Sequence, residues 1–261
     1  LEASSRVASR SPDRRKLLLD RTALTLLGSF PNTYTLTKHC AEKKVVELNK
    51  RLQLPLCIVR PSIIGASLRE PVPGWIDTLS AAAAVFTAGG LGMINLLPGN
   101  PSGVGDIIPV DFVVNHMLLR CSEVIDGAVR TGTGADGKHH VPISHCATST
   151  MNPVKWRTCE VIGETFLYDN SVHQRGKRLT YRMINSPNQF ALEWFLRFTA
   201  PLALYRTGAS ILNSDLHTNQ AEKLTGAMRQ GERICELFKA FTKKEYYFDT
   251  TTVQKWVAHA R

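Results

Sequence analysis

A chain of 261 residues, 43% hydrophobic and 21% charged, carries enough apolar material for a real core in one large or two small domains. Its formal net charge of +10 favours anionic partners, whether phosphates, coenzyme A, acidic lipid headgroups or nucleic acid, without choosing among them. The six cysteines are scattered with no Cys-x-x-Cys pair, which excludes a disulfide-stapled secreted module and reads as free thiols in a reducing, intracellular compartment. The spacings of His145, Cys146, Cys159 and His173 fit no usual zinc pattern, so no metal is expected.

Residues 1–28 form a basic lead-in, with Arg6, Arg10, Arg14, Arg15 and Lys16 among serines and little apolar periodicity, and predict an exposed, partly disordered segment. A solvated tail is expected there rather than a nucleic-acid contact. The opening resembles no cleavable signal, and a start at Leu1 without methionine reads as a piece of something longer.

From Thr33 to about Leu52 the pattern is helical, with Tyr34, Lys38, Ala41, Val45, Leu48 and Leu52 on a face expected to pack inward, opposite Lys43, Lys44, Glu47, Lys50 and Arg51. One turn brings Tyr34 and Lys38 onto that face together. A phenol is a poor proton donor and acceptor at neutral pH until a nearby cation favours its phenolate. In carbonyl reduction by a nicotinamide cofactor, Tyr34 would protonate the carbonyl oxygen while Lys38 stabilises the phenolate and holds the nicotinamide ribose. A Tyr-x-x-x-Lys match is common by chance, so its surroundings carry the reading.

Pro55 ends the helix, and Leu56-Cys57-Ile58-Val59 predicts a strand buried on both faces in a parallel sheet, half of a βαβ unit. Arg60, Pro61, Ser62 and Ile63 follow at its carboxyl end, where ligands of open α/β sheets bind, and are candidate cofactor-side residues. Pro71 to Trp75 is a turn-rich loop. Residues 79–97 are almost uncharged and predict a buried or substrate-lining helix, with three glycines arguing against a membrane span.

Asp106 to Asp111 reads as a short strand leading into a helix with Asp111 as its N-cap. Gly127 to Gly137 is expected to be a flexible turn, with His139 and His140 exposed beside it. Val141 to Cys146 is expected as the final strand, and Asn152-Pro153 as cap and first residue of a helix through Trp156 and Phe166. Gln174 to Arg182 is basic. From Phe190 the chain is rich in leucine and aromatic residues interrupted by Glu193, Arg197, Pro201 and Arg206, which suits an interfacial helix or packed helical lid and not a bilayer span. With Arg182, Arg197 and Arg206 beside Trp194 and Phe198, residues 190–206 are expected to attach to an anionic membrane surface, with burial against the domain as the competing outcome. Leu224 to Phe241 is amphipathic.

Four blocks in this order resemble the alcohol-forming fatty acyl-CoA reductases, the male-sterility-type members of the extended short-chain dehydrogenase/reductases. They are Pro31–Lys38 with Ala41-Glu42, then Leu54-Pro55 through Val59–Ser67 and Glu70–Trp75, then Asp106–Asp111, and last Tyr246–Thr250. The resemblance implies an α/β fold: the carboxyl-terminal half of a Rossmann-like parallel sheet domain over 29–180, followed by a helical carboxyl-terminal region over 181–261. It implies NADPH-dependent reduction of long-chain fatty acyl-CoA to the alcohol in two steps through a bound aldehyde, with Tyr34 and Lys38 catalytic and Arg60, Pro61, Ser62 and Ile63 along the nicotinamide. Family members work at endoplasmic-reticulum or peroxisomal membranes. The family's glycine-rich pyrophosphate loop and its upstream catalytic Ser or Thr find no match before Tyr34, so residues 1–261 alone are expected not to hold NADPH tightly. Two other readings stay open: an extended reductase acting on a carrier-bound thioester, and a non-catalytic lipid- or membrane-binding remnant.

Overall fold

The computed structural model describes residues 25–78, 81–90, 95–133, 139–170, 182–212 and 215–259. The basic residues of the lead-in, parts of the apolar 79–97 stretch, Gly134 to Gly137, His173 and most of the basic run from Gln174 lie outside the described residues. The chain divides into two compact units, Leu1–Leu54 and Pro55–Arg261.

The first unit is organised by α1, Thr33–Leu52, whose bounds agree with the apolar pattern. Asn32 caps it: its side-chain oxygen accepts from the Thr35 N–H at 2.9 Å, and the Thr35 hydroxyl donates back to the Asn32 carbonyl. At the other end Gln53 turns left-handed at φ 51°, and the buried Asn49 amide donates to the Leu54 carbonyl at 2.6 Å. The expected inward face is wrong. Tyr34, Lys38, Val45, Leu48 and Leu52 are exposed, whereas Leu36, His39, Glu42, Val46 and Asn49 form the less exposed row. Apolar residues fall on both sides of this helix, so the 3.6-residue period fits two faces and does not choose.

The second unit opens with β1, Ile58–Pro61, and β2, Ile63–Gly65. The strand thus starts two residues later than expected and includes Arg60 and Pro61, with the proline at its end, where a missing N–H costs least. Four further strands are β3, Leu96–Pro98, β4, Ile107–Pro109, and the pair β5, Gly132–Thr133, and β6, His139–His140. The last two are β7, Ile143–Cys146, and β8, Arg182–Ile184. β1 runs parallel to β7, β2 to β4 and β3 to β8. Between the first two pairings the Ser62 N–H donates to the Cys146 carbonyl and the Ile63 N–H to the Asp106 carbonyl, so one bent segment serves both.

β3 and β8 escape sequence reading, and β7 is not the final strand. Leu96-Leu97 merges with an apolar run and Arg182-Met183-Ile184 with a basic one, and three residues are too few to show alternation. The antiparallel pairing of β5 with β6 was likewise not expected, and His139 is half-buried rather than exposed.

The helices of this unit are α2, Ala81–Gly90, α3, Val110–Ile125, and α4, Trp156–Asp169. The carboxyl-terminal set is α5, Pro187–Trp194, continued by a π-helical turn over Phe195–Thr199 into α6, Ala200–Ile211, then α7, Asp215–Thr242, and α8, Thr251–His259. Among the described residues no helix is long and apolar enough to cross a membrane.

Asn152 and Pro153 do not start α4, because the first amides of that helix have better partners. The N–H groups of Trp156 and Arg157 donate to the carbonyls of Gly103 and Pro101. Gly105 makes this approach possible, since a Cβ there would lie 2.6 Å from the Trp156 ring. The core joins strands to helices: Leu96 and Leu97 of β3 and Met183 and Ile184 of β8 pack with Trp156, Trp194 and Cys235. Leu96 and Leu97 are fully buried, each worth about 1.5–3 kcal/mol by transfer. Burial pushes the Glu160 carboxyl of α4 up, while the Met183 N–H and Arg157 pull it back, and its acceptance of that N–H ties α4 to β8.

Candidate active site

The Asn32 cap fixes the start of α1 and therefore the direction in which Tyr34, two residues on, leaves the helix. The Thr37 hydroxyl donates to the Tyr34 carbonyl at 2.9 Å and ties down the same turn. Lys38 follows one turn later, its ammonium 5.8 Å from the centre of the Tyr34 ring. At 58% exposure, with no hydrogen bond to its hydroxyl among the described residues, Tyr34 presents a phenol and a cation side by side to an incoming molecule.

Arg60, Pro61, Ser62 and Ile63 lie in the second unit, together at the carboxyl end of β1. What organises them is Asp106, a residue sequence reading placed in a strand-to-helix block but gave no role. Its carboxylate is 7% exposed and accepts from the Ser62 hydroxyl at 2.8 Å, the Thr148 N–H and hydroxyl at 3.0 and 3.1 Å, and the Ser149 N–H at 2.8 Å. One carboxylate therefore fastens the link between β1 and β2 to the loop leaving β7. The signal was the Asp before Ile107-Ile108-Pro109, together with Ser62 and Thr148-Ser149 beyond two strand ends.

Asp111 is not the N-cap of α3. The cap position belongs to Pro109, and the Asp111 carboxylate instead accepts the N–H groups of Leu68, Arg69 and Glu70 at 2.9–3.3 Å. Burial pushes this carboxyl up, but the ring of amide donors outweighs it and leaves it below the ordinary carboxylate value. A local cap loses to a long-range clamp because three consecutive amides of the 68–70 turn converge there. The same turn is closed by Ser67, whose hydroxyl donates to the Val72 carbonyl and accepts from the Trp75 N–H.

The block at Tyr246–Thr250 covers the loop leaving β7. The Phe248 N–H donates to the Ser149 hydroxyl, the Thr150 hydroxyl to the Phe248 carbonyl, and a His145 ring nitrogen lies 3.2 Å from the Asp249 carbonyl. Beneath it, buried His116 lies 2.8 Å from the Ser144 hydroxyl and edge-on to Trp256, whose indole donates to Glu123. Burial holds the His116 imidazole below its ordinary value, with Arg120 acting in the same sense and Glu123 against it. Burial also pushes the Cys146 thiol up to about 11 and the Cys235 thiol up to about 12, so both are structural. Among the described residues no group of three or more His, Cys, Asp or Glu side chains converges as a metal site.

Parallel strand pairs with helices packed on them define an α/β protein. The male sterility protein model, an NAD-binding domain, matches residues 2–117. The chain is 30% identical over 233 residues to fatty acyl-CoA reductase 1 of Gallus gallus and 29% identical over the same length to that of Homo sapiens, covering 89% of this chain and 40% of each relative. It is 35% identical over 139 residues to fatty acyl-CoA reductase 2 of Bos taurus, 53% of this chain and 25% of that one. The chain is similar to the fatty acyl-CoA reductases and spans about two fifths of the length of the first of these relatives.

Proposed function

We propose that the protein carrying this segment is an alcohol-forming reductase of long-chain fatty acyl-CoA with a preference for NADPH. The observation that carries the reading is the exposed Tyr34–Lys38 pair on a capped helix inside the family-matched residues. The exposed phenol and ammonium fit the ribose hydroxyls and the carbonyl of a nicotinamide-dependent reduction. A bound reduced nicotinamide supplies hydride to the carbonyl carbon. Tyr34 gives its proton to the carbonyl oxygen, and Lys38 stabilises the phenolate left behind and donates hydrogen bonds to the nicotinamide ribose. Such proton transfer is worth about 10²–10⁴-fold. Arg60, Pro61, Ser62 and Ile63 line the nicotinamide side, with Ser62 oriented by Asp106.

The test is release of coenzyme A thiol and fatty alcohol from acyl-CoA by the protein carrying this segment, with and without Tyr34→Phe. Turnover lost in the variant supports the reading. Turnover of carrier-loaded thioesters alone replaces it with the carrier-bound alternative, and no turnover of either leaves the non-catalytic remnant.

Attachment to an anionic membrane surface is the second part of the proposal, supported by a different face from the one expected. Trp194 is buried and Phe198 half-buried, and Arg182 and Arg197 both pair with Glu193. The exposed row is Leu192, Phe195, Leu196, Leu204 and Ile211, each more than half exposed, with Arg206 beside it. Liposome co-sedimentation should therefore fall with Leu196→Ser plus Leu204→Ser. Sedimentation unchanged by that pair overturns the attachment.

A further inference from the structure

The block Tyr246–Thr250 stands out in the sequence and has no part in the proposed reaction. It links α7 to α8 with neither helix nor strand over 245–250, so its backbone polar groups need partners outside it. They lie in the loop leaving β7. The Phe248 N–H donates to the Ser149 hydroxyl oxygen at 3.1 Å, and the Phe248 carbonyl accepts the Thr150 hydroxyl proton at 3.1 Å. With that proton committed, the Thr250 hydroxyl must donate to Thr150 at 2.7 Å, while the Gln254 side-chain amide of α8 donates to Thr250. The Phe248 ring lies 5.7 Å from the ring of His145 on β7. Ser149 and Thr250 are buried, where such bonds are strongest.

The same loop grips Asp106. The N–H groups of Thr148 and Ser149 can only donate, so the carboxylate accepts from them, and the Ser62 hydroxyl donates to it in turn. The Ile63 N–H donates to the Asp106 carbonyl at 3.1 Å. A continuous row of hydrogen bonds therefore runs from Phe248 through Ser149 and Asp106 to Ser62, wholly within the second unit. Displacing Phe248 moves Ser149, and with it the amide that holds Asp106 against Ser62.

We propose that Tyr246–Thr250 is a positioning element for the nicotinamide side of the site, and that Ser149 is the residue through which it acts on Ser62. The role presupposes the reductase reading, which puts Ser62 beside the nicotinamide, and gives the carboxyl-terminal block a part in it. A site residue misplaced by about 1 Å is enough to weaken a site, so fastening far from the cofactor is felt there.

The test compares two variants in the protein carrying this segment. Ser149→Ala removes the acceptor of the Phe248 N–H and keeps the amide that holds Asp106, whereas Ser149→Thr keeps a hydroxyl. Hydrogen exchange read by mass spectrometry reports the link, and fluorescence titration with NADPH reports the site. Ser149→Ala should speed exchange about threefold or more in peptides covering 62–63 and 246–250. It should weaken NADPH binding about threefold to tenfold with kcat at saturating cofactor within about twofold, and Ser149→Thr should recover both exchange and affinity. Thr250→Val, which cuts the neighbouring fastening, gives the same reading if Ser149→Ala does not fold. A block with a merely structural role would lower the urea midpoint without moving the affinity of the folded protein. Unchanged exchange at 62–63 overturns the link, and faster exchange with unchanged NADPH affinity overturns the positioning role while the reductase reading stands. A wild type that binds no NADPH removes the reductase reading and the positioning role with it.

Discussion

Tyr34 and Asp106 show two opposite uses of a polar side chain. Tyr34 stands 58% exposed with a cation 5.8 Å from its ring, and its hydroxyl bonds to nothing among the described residues. Asp106 is 7% exposed, and hydrogen bonds from Ser62, Thr148 and Ser149 saturate it. In the proposed reaction Tyr34 exchanges a proton with a transient molecule, a use that suits a group left unsatisfied at the surface, whereas a carboxylate kept from water must be satisfied by the protein. Removing the first should cost chemistry and removing the second should cost architecture.

On the proposed function the largest expected effect follows from Tyr34→Phe, which should lower turnover by the protein carrying this segment about 10²–10⁴-fold. Its unfolding free energy should change by less than about 0.5 kcal/mol, because an exposed hydroxyl without partners is lost. Asp106→Ala should instead destabilise the chain by about 3 kcal/mol in urea unfolding, since it strands the Ser62 hydroxyl and two buried amides. Asp111→Asn is expected to act locally: it weakens the clamp on Leu68, Arg69 and Glu70, and limited proteolysis should cut faster between 66 and 75 with the rest of the unit intact.

The smallest effect is in pH dependence. His116 titrates below its ordinary 6.5 when folded, so the unfolded chain takes up the proton first. Stability should begin to fall as pH drops below about 6.5 and level off once the folded value is passed. The Thr251 N–H and hydroxyl hold Asp249 low, and the amide ring holds Asp111 low, so their contributions persist above the ordinary carboxylate value of 3.8 and are lost only as pH falls through their lower folded values. His116→Gln should remove the first decline and leave the second, and identical urea midpoints from pH 7 to 5 in the wild type would contradict this.

The bounds of α1 and the α7 amphipathic pattern were legible because long helices write their period many times over. The face of α1 was not, because Leu36 and Val46 offer a second stripe against Val45 and Leu48. The strands β3 and β8 were illegible because each shows only three residues and they pair across 83 or more intervening residues. The motif from Val59 to Trp75 was visible as a pattern, but its physical reason, a turn clipped to Asp111 and a Ser fastened to Asp106, required the long-range contacts. The same holds for Tyr246–Thr250, whose fit over Ser149 and Thr150 joins positions about a hundred residues apart.

The most direct measurement takes Tyr34→Phe and Asp106→Ala side by side in the protein carrying this segment, with acyl-CoA-dependent coenzyme A release and urea unfolding read on the same preparations. The account predicts a crossing: Tyr34→Phe keeps the wild-type unfolding midpoint and loses turnover, while Asp106→Ala loses the midpoint and keeps turnover per folded molecule within about tenfold. Full turnover in Tyr34→Phe, or an unfolding midpoint lowered as far by Tyr34→Phe as by Asp106→Ala, would contradict it.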